Sequence, residues 1–138
     1  MNNKIDQLLY KESLKAYKKN EIPVGAIIVK NNKIIAKSHN NRQKKYDILG
    51  HAEINCIKKA SKKIKDWRLD NCELYVTLMP CEMCQMIIKK SRISKIHYIL
   101  DNKNENKIIN NLIQTNDCFL NKNNYEKLFK NFFERMRK

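Results

Sequence analysis

With 138 residues, 42% of them apolar, the chain suits one globular domain spanning 1–138 and is short for two. No apolar run approaches the roughly 18 residues of a membrane span and no signal-peptide core is visible, so a soluble, cytoplasmic protein with no membrane partner is expected. The charge of +15, from 29 Lys and Arg against 14 Asp and Glu, suits a polyanionic partner, though a chain rich in Lys, Asn and Ile also fits an AT-biased coding sequence.

Ile5, Leu8, Leu9, Leu14 and Tyr17 recur at helical spacing and predict an amphipathic helix over about 4–19. Residues 24–29 form an apolar run with β-branched members, and 33–37 form a second. Between them Asn31-Asn32 tolerates left-handed backbone, which predicts a hairpin. Residues 40–49 are polar and basic and read as a loop. From His51 the spacing of Ile54, Ile57 and Ile64 predicts a second helix. A strand over 73–78 follows, then a helix started by Pro80 and running to about Lys90, then a strand over 95–100. The stretch 101–107 is polar, and 108–113 carries weaker helical signals. Tyr125, Leu128, Phe129, Phe132, Phe133 and Met136 share one helical stripe, with Lys127, Lys130, Arg135 and Arg137 off it. That pattern predicts a last helix with an aromatic core face and a basic rim free to touch phosphates. The order α-β-β-α-β-α-β-α predicts helices packed on a mixed sheet, a layered α/β fold.

The chemistry-bearing residues are His51-Ala52-Glu53 and Pro80-Cys81-Glu82-Met83-Cys84. The five cysteines are odd in number and irregular in spacing, which argues against a disulfide framework and for a metal or catalytic site. Cys81 and Cys84, at i and i+3 in the first turn after Pro80, face the same side of a helix. Unpaired N–H groups and the helix dipole there favour thiolate, the form that binds metal. Two thiolates and an imidazole from His51 match Zn²⁺, one ion per chain, and three ligands with an open fourth position is the catalytic pattern. Zinc lowers the pKa of water at that position to about 7. Glu53, two residues from His51, is placed to move the proton from water to a ring nitrogen and then to a leaving amine. These parts fit loss of ammonia from an amidine-like ring carbon. Each piece alone is weak, since a lone C-x-x-C is often a redox pair or half a zinc ribbon; the combination is far more specific. His39, His97, Cys56, Cys72, Cys118, Met83 and Met86 read as structural.

The sequence resembles the cytidine/deoxycytidylate deaminase superfamily and, within it, the tRNA-specific adenosine deaminases of bacteria. The resemblance is carried by Glu21-Ile-Pro-Val-Gly-Ala-Ile-Ile-Val29, His51-Ala-Glu-Ile54, Trp67-Arg-Leu69, Leu74-Tyr-Val-Thr-Leu78, Pro80-Cys-Glu-Met-Cys84, Ser91-Arg-Ile93 and Phe132-Phe-Glu-Arg-Met-Arg137. It implies a three-layer α/β/α fold around a mixed sheet of about five strands, and conversion of adenosine to inosine at the wobble position of a tRNA anticodon by a homodimer. It further implies that Asn40 hydrogen-bonds the flipped base, that Val24 lines the same pocket, and that Phe132, Phe133 and the basic tail meet the RNA loop. Arg42, Lys44 and Lys45 are candidates to hold neighbouring phosphates, although a solvated loop explains them as simply. The chain departs from the family pattern at Met79, usually acidic, at Asn41-Arg42 and Ile48, where proline is common, and over 99–106, which lacks a glycine-bearing basic pattern. Two other readings share these residues: a deaminase of free guanine, cytosine or a nucleoside, and a non-catalytic zinc-stabilised RNA-binding module. The basic last helix argues against the first and Glu53 against the second.

Overall fold

The computed structural model describes residues 3–103, the backbone of 113–116, and residues 122–137. The first helix, α1 (Asn3–Lys18), ends where Asn20 takes a left-handed conformation (φ 61°) and the Glu21 N–H returns to the Ala16 carbonyl at 3.0 Å. That closure satisfies terminal carbonyls and turns the chain into the sheet. Strands β1 (Gly25–Lys30) and β2 (Lys33–His39) form the predicted hairpin. Asn31 and Asn32 both have positive φ, 51° and 64°, the twist that a two-residue connection needs.

Strand β3 (Cys72–Leu78) pairs antiparallel with β1, β4 (Lys95–Leu100) pairs parallel with β3, and β5 (Ile113–Asn116) pairs parallel with β4. The mixed sheet therefore runs β2-β1-β3-β4-β5. A parallel step needs a crossover, and α4 (Glu82–Lys90) supplies it between β3 and β4. Helix α3 (Ala52–Ile64) packs on β1, β2 and β3 and against α4. On the opposite face α1 packs on β1 to β3, while α5 (Lys122–Met136) packs on β4 and α1. The three-layer α/β/α arrangement follows.

Strand alternation builds the two cores. Ala26 and Ile28 point into the cluster with Ile54, Ile57, Leu74, Val76 and Ile88, whereas Ile27 and Val29 point into the cluster with Ile5, Leu9, Ile99 and Tyr125. Helix α1 lies unusually near β1 at Gly25, where a Cβ would come within 2.8 Å of Glu12 Cβ and 2.9 Å of the Leu9 carbonyl oxygen. The buried polar groups beneath it are paired: the Gly25 N–H donates to Thr77 Oγ1 at 3.0 Å, and Ser13 Oγ lies 2.7 Å from the same hydroxyl. Tyr125 Oη donates to Asp6 Oδ1 at 2.6 Å, tying α5 to α1.

Several expectations need correction. The weak helical signal that ended at Ile113 meets a strand there, because Ile113 opens β5 beside β4; residues 108–112, and Cys118, lie outside the described residues. The 40–49 loop contains a short helical segment, α2 (Arg42–Lys45). Proline starts α4 less directly than expected: Pro80 and Cys81 precede it, and Cys81 is its N-cap. On α5, Tyr125, Leu128 and Phe132 are buried, but Phe133 and Met136 are 45% and 48% exposed. A stripe is core only where a facing element covers it: α1 runs beside α5 from Asp6 at Tyr125 to Tyr17 at Arg135, while Phe133 and Met136 line a cavity instead. Arg135 is not part of a free basic rim: its guanidinium donates to the Tyr17 carbonyl at 2.8 Å and lies 4.1 Å from that ring's centre. Met86 is exposed, not packed.

Candidate active site

Two helix N-termini converge to make the site. His51 is the N-cap of α3 and Cys81 the N-cap of α4, each in extended backbone and neither using its side chain as a cap. N-cap positions favour short oxygen-bearing side chains that bond the first turn. Here imidazole and thiol are instead directed at each other. Gln85 Nε2 donates to the Pro80 carbonyl at 2.9 Å, which pins the turn carrying Cys81. Cys84, buried in the first turn of α4, completes the group.

The donor atoms of His51, Cys81 and Cys84 lie within 4.8 Å of one another, a spacing at which one metal ion can be held. Hydrogen bonding from Cys84 and then from His51, against burial, lowers the Cys81 thiol to about 4, while the same contact and burial push Cys84 up. His51 is raised, chiefly by its hydrogen bond to Cys81. The hydrogen bonds of both neighbours thus converge on the Cys81 sulfur. Two sulfurs and an imidazole suit a borderline-soft divalent cation.

Glu53 stands outside that trio. It is 4% exposed, in the first turn of α3, and lines a cavity of about 180 Å³ with His51, Cys81, Val24, Asn40, Arg42 and Met79. Burial pushes its carboxyl up to about 7. A carboxyl poised there can both accept and return a proton near neutrality.

Asn40 is held on two sides. Its N–H donates to the Val24 carbonyl at 3.1 Å, and its side-chain Oδ1 accepts the Ala52 N–H at 2.7 Å. With the oxygen so used, the amide NH₂ is the end left to face the cavity. Asn55 Nδ2 bridges the His39 carbonyl and Asn41 Oδ1, both at 3.0 Å, bracing the same corner.

A second cavity, about 540 Å³, adjoins the first and shares Ile22, Asn40 and Arg42 with it. Phe132, Phe133 and Met136 of α5 line its outer side and Glu21 its inner one. Apart from two lysines, the residues singled out from the sequence as catalytic, ligating or substrate-binding thus line one of these cavities or form the trio. Lys44 and Lys45 are exposed and line neither. The histidines read as structural have carboxylate partners, His39 with Glu12 at 3.1 Å and His97 with Glu73 at 2.6 Å. Sequence reasoning missed Glu21, Ile22, Gln43 and Asn102. Glu21 and Ile22 lie inside the quoted 21–29 motif and were given no role in the site; Asn102 lies in polar chain with no periodicity to mark it.

Met79, where the family pattern is usually acidic, is 2% exposed and gives the small cavity an apolar wall. Its N–H donates to the Leu100 carbonyl at 2.8 Å, so its backbone still joins β3 to β4 at the site's edge.

A family model described as MafB19-like deaminase matches residues 2–137. The tRNA-specific adenosine deaminase of Rickettsia bellii (strain RML369-C) is 38% identical over 134 residues, 88% of this chain and 92% of that protein. That of Aquifex aeolicus (strain VF5) is 46% identical over 94 residues, 67% of this chain and 62% of that protein, so the match spans less than two thirds of it. A solved structure from studies of A-to-I editing by tRNA:A34 deaminases at the wobble position of transfer RNA is 33% identical with a TM-score of 0.71, covering 75% of this chain and 79% of that one. On this identity and extent, the chain belongs to the tRNA-specific adenosine deaminase family within the cytidine/deoxycytidylate deaminase superfamily.

Proposed function

We propose that this chain is a zinc-dependent enzyme that deaminates adenosine to inosine at the wobble position of a tRNA anticodon. The observation that carries the reading is a three-donor group beside a buried, proton-poised Glu53, on the wall of a cavity sized for one base and joined to a larger one. His51, Cys81 and Cys84 are the residues to hold one zinc ion per chain. A bound zinc ion would supply Lewis-acid activation of water at neutral pH.

The chain's own groups do the rest. Glu53 takes a proton from water as its oxygen adds to C6 of adenine, and delivers it to N1. It then passes the second proton to the departing amine, which leaves as ammonia while the C6 carbonyl forms. Water and adenosine in, inosine and ammonia out, balance these transfers. The amide NH₂ of Asn40 offers a donor to an acceptor on the base edge. Val24 and Met79 provide apolar contact and keep bulk water out of the pocket.

At about 180 Å³ the reaction cavity is smaller than the 300–1,000 Å³ of a typical drug-sized site, and a base stacked in a duplex cannot enter it. The target base must be splayed from a loop. The larger cavity, with Phe133 and Met136 exposed on one side and Arg42 at its junction, suits a neighbouring base and its phosphate. A charge of +15 strengthens attraction to RNA. No described helix is long and apolar enough to cross a membrane, in keeping with the proposed cytoplasmic location. A homodimer is part of the same proposal, with exposed Tyr46, Ile48 and Met86 offering apolar surface for it.

Purified protein incubated with an anticodon stem-loop bearing A34, and separately with free guanine and cytidine, tests this directly. Inosine in the stem-loop with stoichiometric ammonia is expected. Turnover of the free compounds alone would replace the RNA reading with a small-substrate enzyme.

A further inference from the structure

The loop that joins β2 to the site is stitched closed from within. The Asn41 N–H donates to the Gly50 carbonyl at 2.8 Å, and the Asp47 N–H donates to the Arg42 carbonyl at 3.0 Å. Gly50 permits this closeness: a Cβ there would lie 2.7 Å from Asn41 Oδ1 and 2.8 Å from Arg42 Cα. These bonds fix the loop's shape but not its position over the cavities. That job falls to a residue from a different part of the chain.

Glu21 is 2% exposed and sits just past α1, where its own N–H is tied to the Ala16 carbonyl. Its carboxylate uses both oxygens on the loop: Oε1 accepts the Gln43 N–H at 3.1 Å and Oε2 accepts the Lys44 N–H at 2.8 Å. The anchored residues follow Arg42 directly, and Arg42 lies at the junction of the two cavities beside Asn40. A carboxylate taken out of water persists only where donors replace its hydration, and hydrogen bonds to a charged acceptor are the stronger kind.

We infer that Glu21 is a positioning residue for the RNA substrate. Its buried carboxylate clamps the backbone at Gln43–Lys44 and thereby holds Arg42 where the strand enters the reaction cavity. It touches neither the reacting base nor the ligating trio, so it governs substrate binding and not the chemical step. The inference rests on the proposed RNA substrate, and the test separates the two.

The substitution Glu21→Gln keeps the side chain's volume but leaves one acceptor oxygen for two donors and turns an NH₂ toward the other. Steady-state kinetics on the A34 stem-loop should show KM raised about tenfold with kcat changed less than about threefold, at unchanged zinc content. Backbone amide exchange, followed by NMR without any RNA, should show Gln43 and Lys44 protected in the unaltered protein and faster in the variant. A fall in kcat with KM unchanged overturns the inference. So does rapid exchange of those two amides in the unaltered protein, a result that needs no variant. If the unaltered protein makes no inosine, the RNA reading fails, while the exchange measurement still decides whether Glu21 clamps the loop.

Discussion

Replacing Glu12 with Gln isolates one buried charge and its dependence on pH. Glu12 lies on α1 against Gly25, its side chain 4% exposed, with His39 Nδ1 at 3.1 Å and Lys15 Nζ at 2.8 Å. Burial alone would raise its pKa, yet the hydrogen bonds and charges of those two partners hold it down to about 2 against an ordinary 4.5. Each unit corresponds to about 1.4 kcal/mol, so the ceiling is about 3 kcal/mol. Lys15 is half-exposed and screened, which reduces the expected loss in Glu12→Gln to about 1–2 kcal/mol at pH 7, or about 3–8 °C in Tm. The sign follows from a native pKa below the unfolded one: stabilisation is full above about 4.5 and drains away as pH falls toward 2. Urea unfolding of both proteins at pH 7 and pH 3, at matched ionic strength, should show the gap more than halved at pH 3. An equal gap at both pH values, or none at pH 7, would refute the reasoning. The residue matters to the site because His39 immediately precedes Asn40.

Cys81→Ala or Cys84→Ala should each drop zinc from one ion per chain to a small fraction, read by metal analysis of purified protein. Gly50→Ala forces a methyl against Asn41 and the Arg42 backbone and should cost about 1–3 kcal/mol in denaturant melts, with KM for the stem-loop raised. Binding of the stem-loop should weaken at least about tenfold between 50 and 200 mM salt, measured by fluorescence anisotropy; a flat response would remove the electrostatic part of the RNA reading.

The candidate ligating residues were legible because short spacings along the chain bring them together. His51 and Glu53 are two apart, and Cys81 and Cys84 three apart, so one helix start each is enough to bring them together. The same holds for the hairpin at Asn31-Asn32, whose backbone preference is a property of those two residues. Glu21 opens a quoted motif, but its contact with the loop was not legible, since its partners are the N–H groups of Gln43 and Lys44, which every sequence possesses. The α5 stripe was half legible. Periodicity shows which side chains share a face; that Tyr125 is buried against α1 while Phe133 borders a cavity depends on tertiary neighbours that no spacing records. Strand β5 escaped notice because it pairs along β4 alone, and a four-residue edge strand leaves little alternation to read.

In the proposed mechanism Glu53 carries protons and does not ligate the metal. Glu53→Ala, assayed together for zinc content and for inosine formed in the A34 stem-loop, tests that most directly. Zinc should remain at one per chain while kcat falls about 10²–10⁴-fold. Zinc lost together with activity would make Glu53 a ligand, and turnover retained would leave the proposed proton path without its carrier.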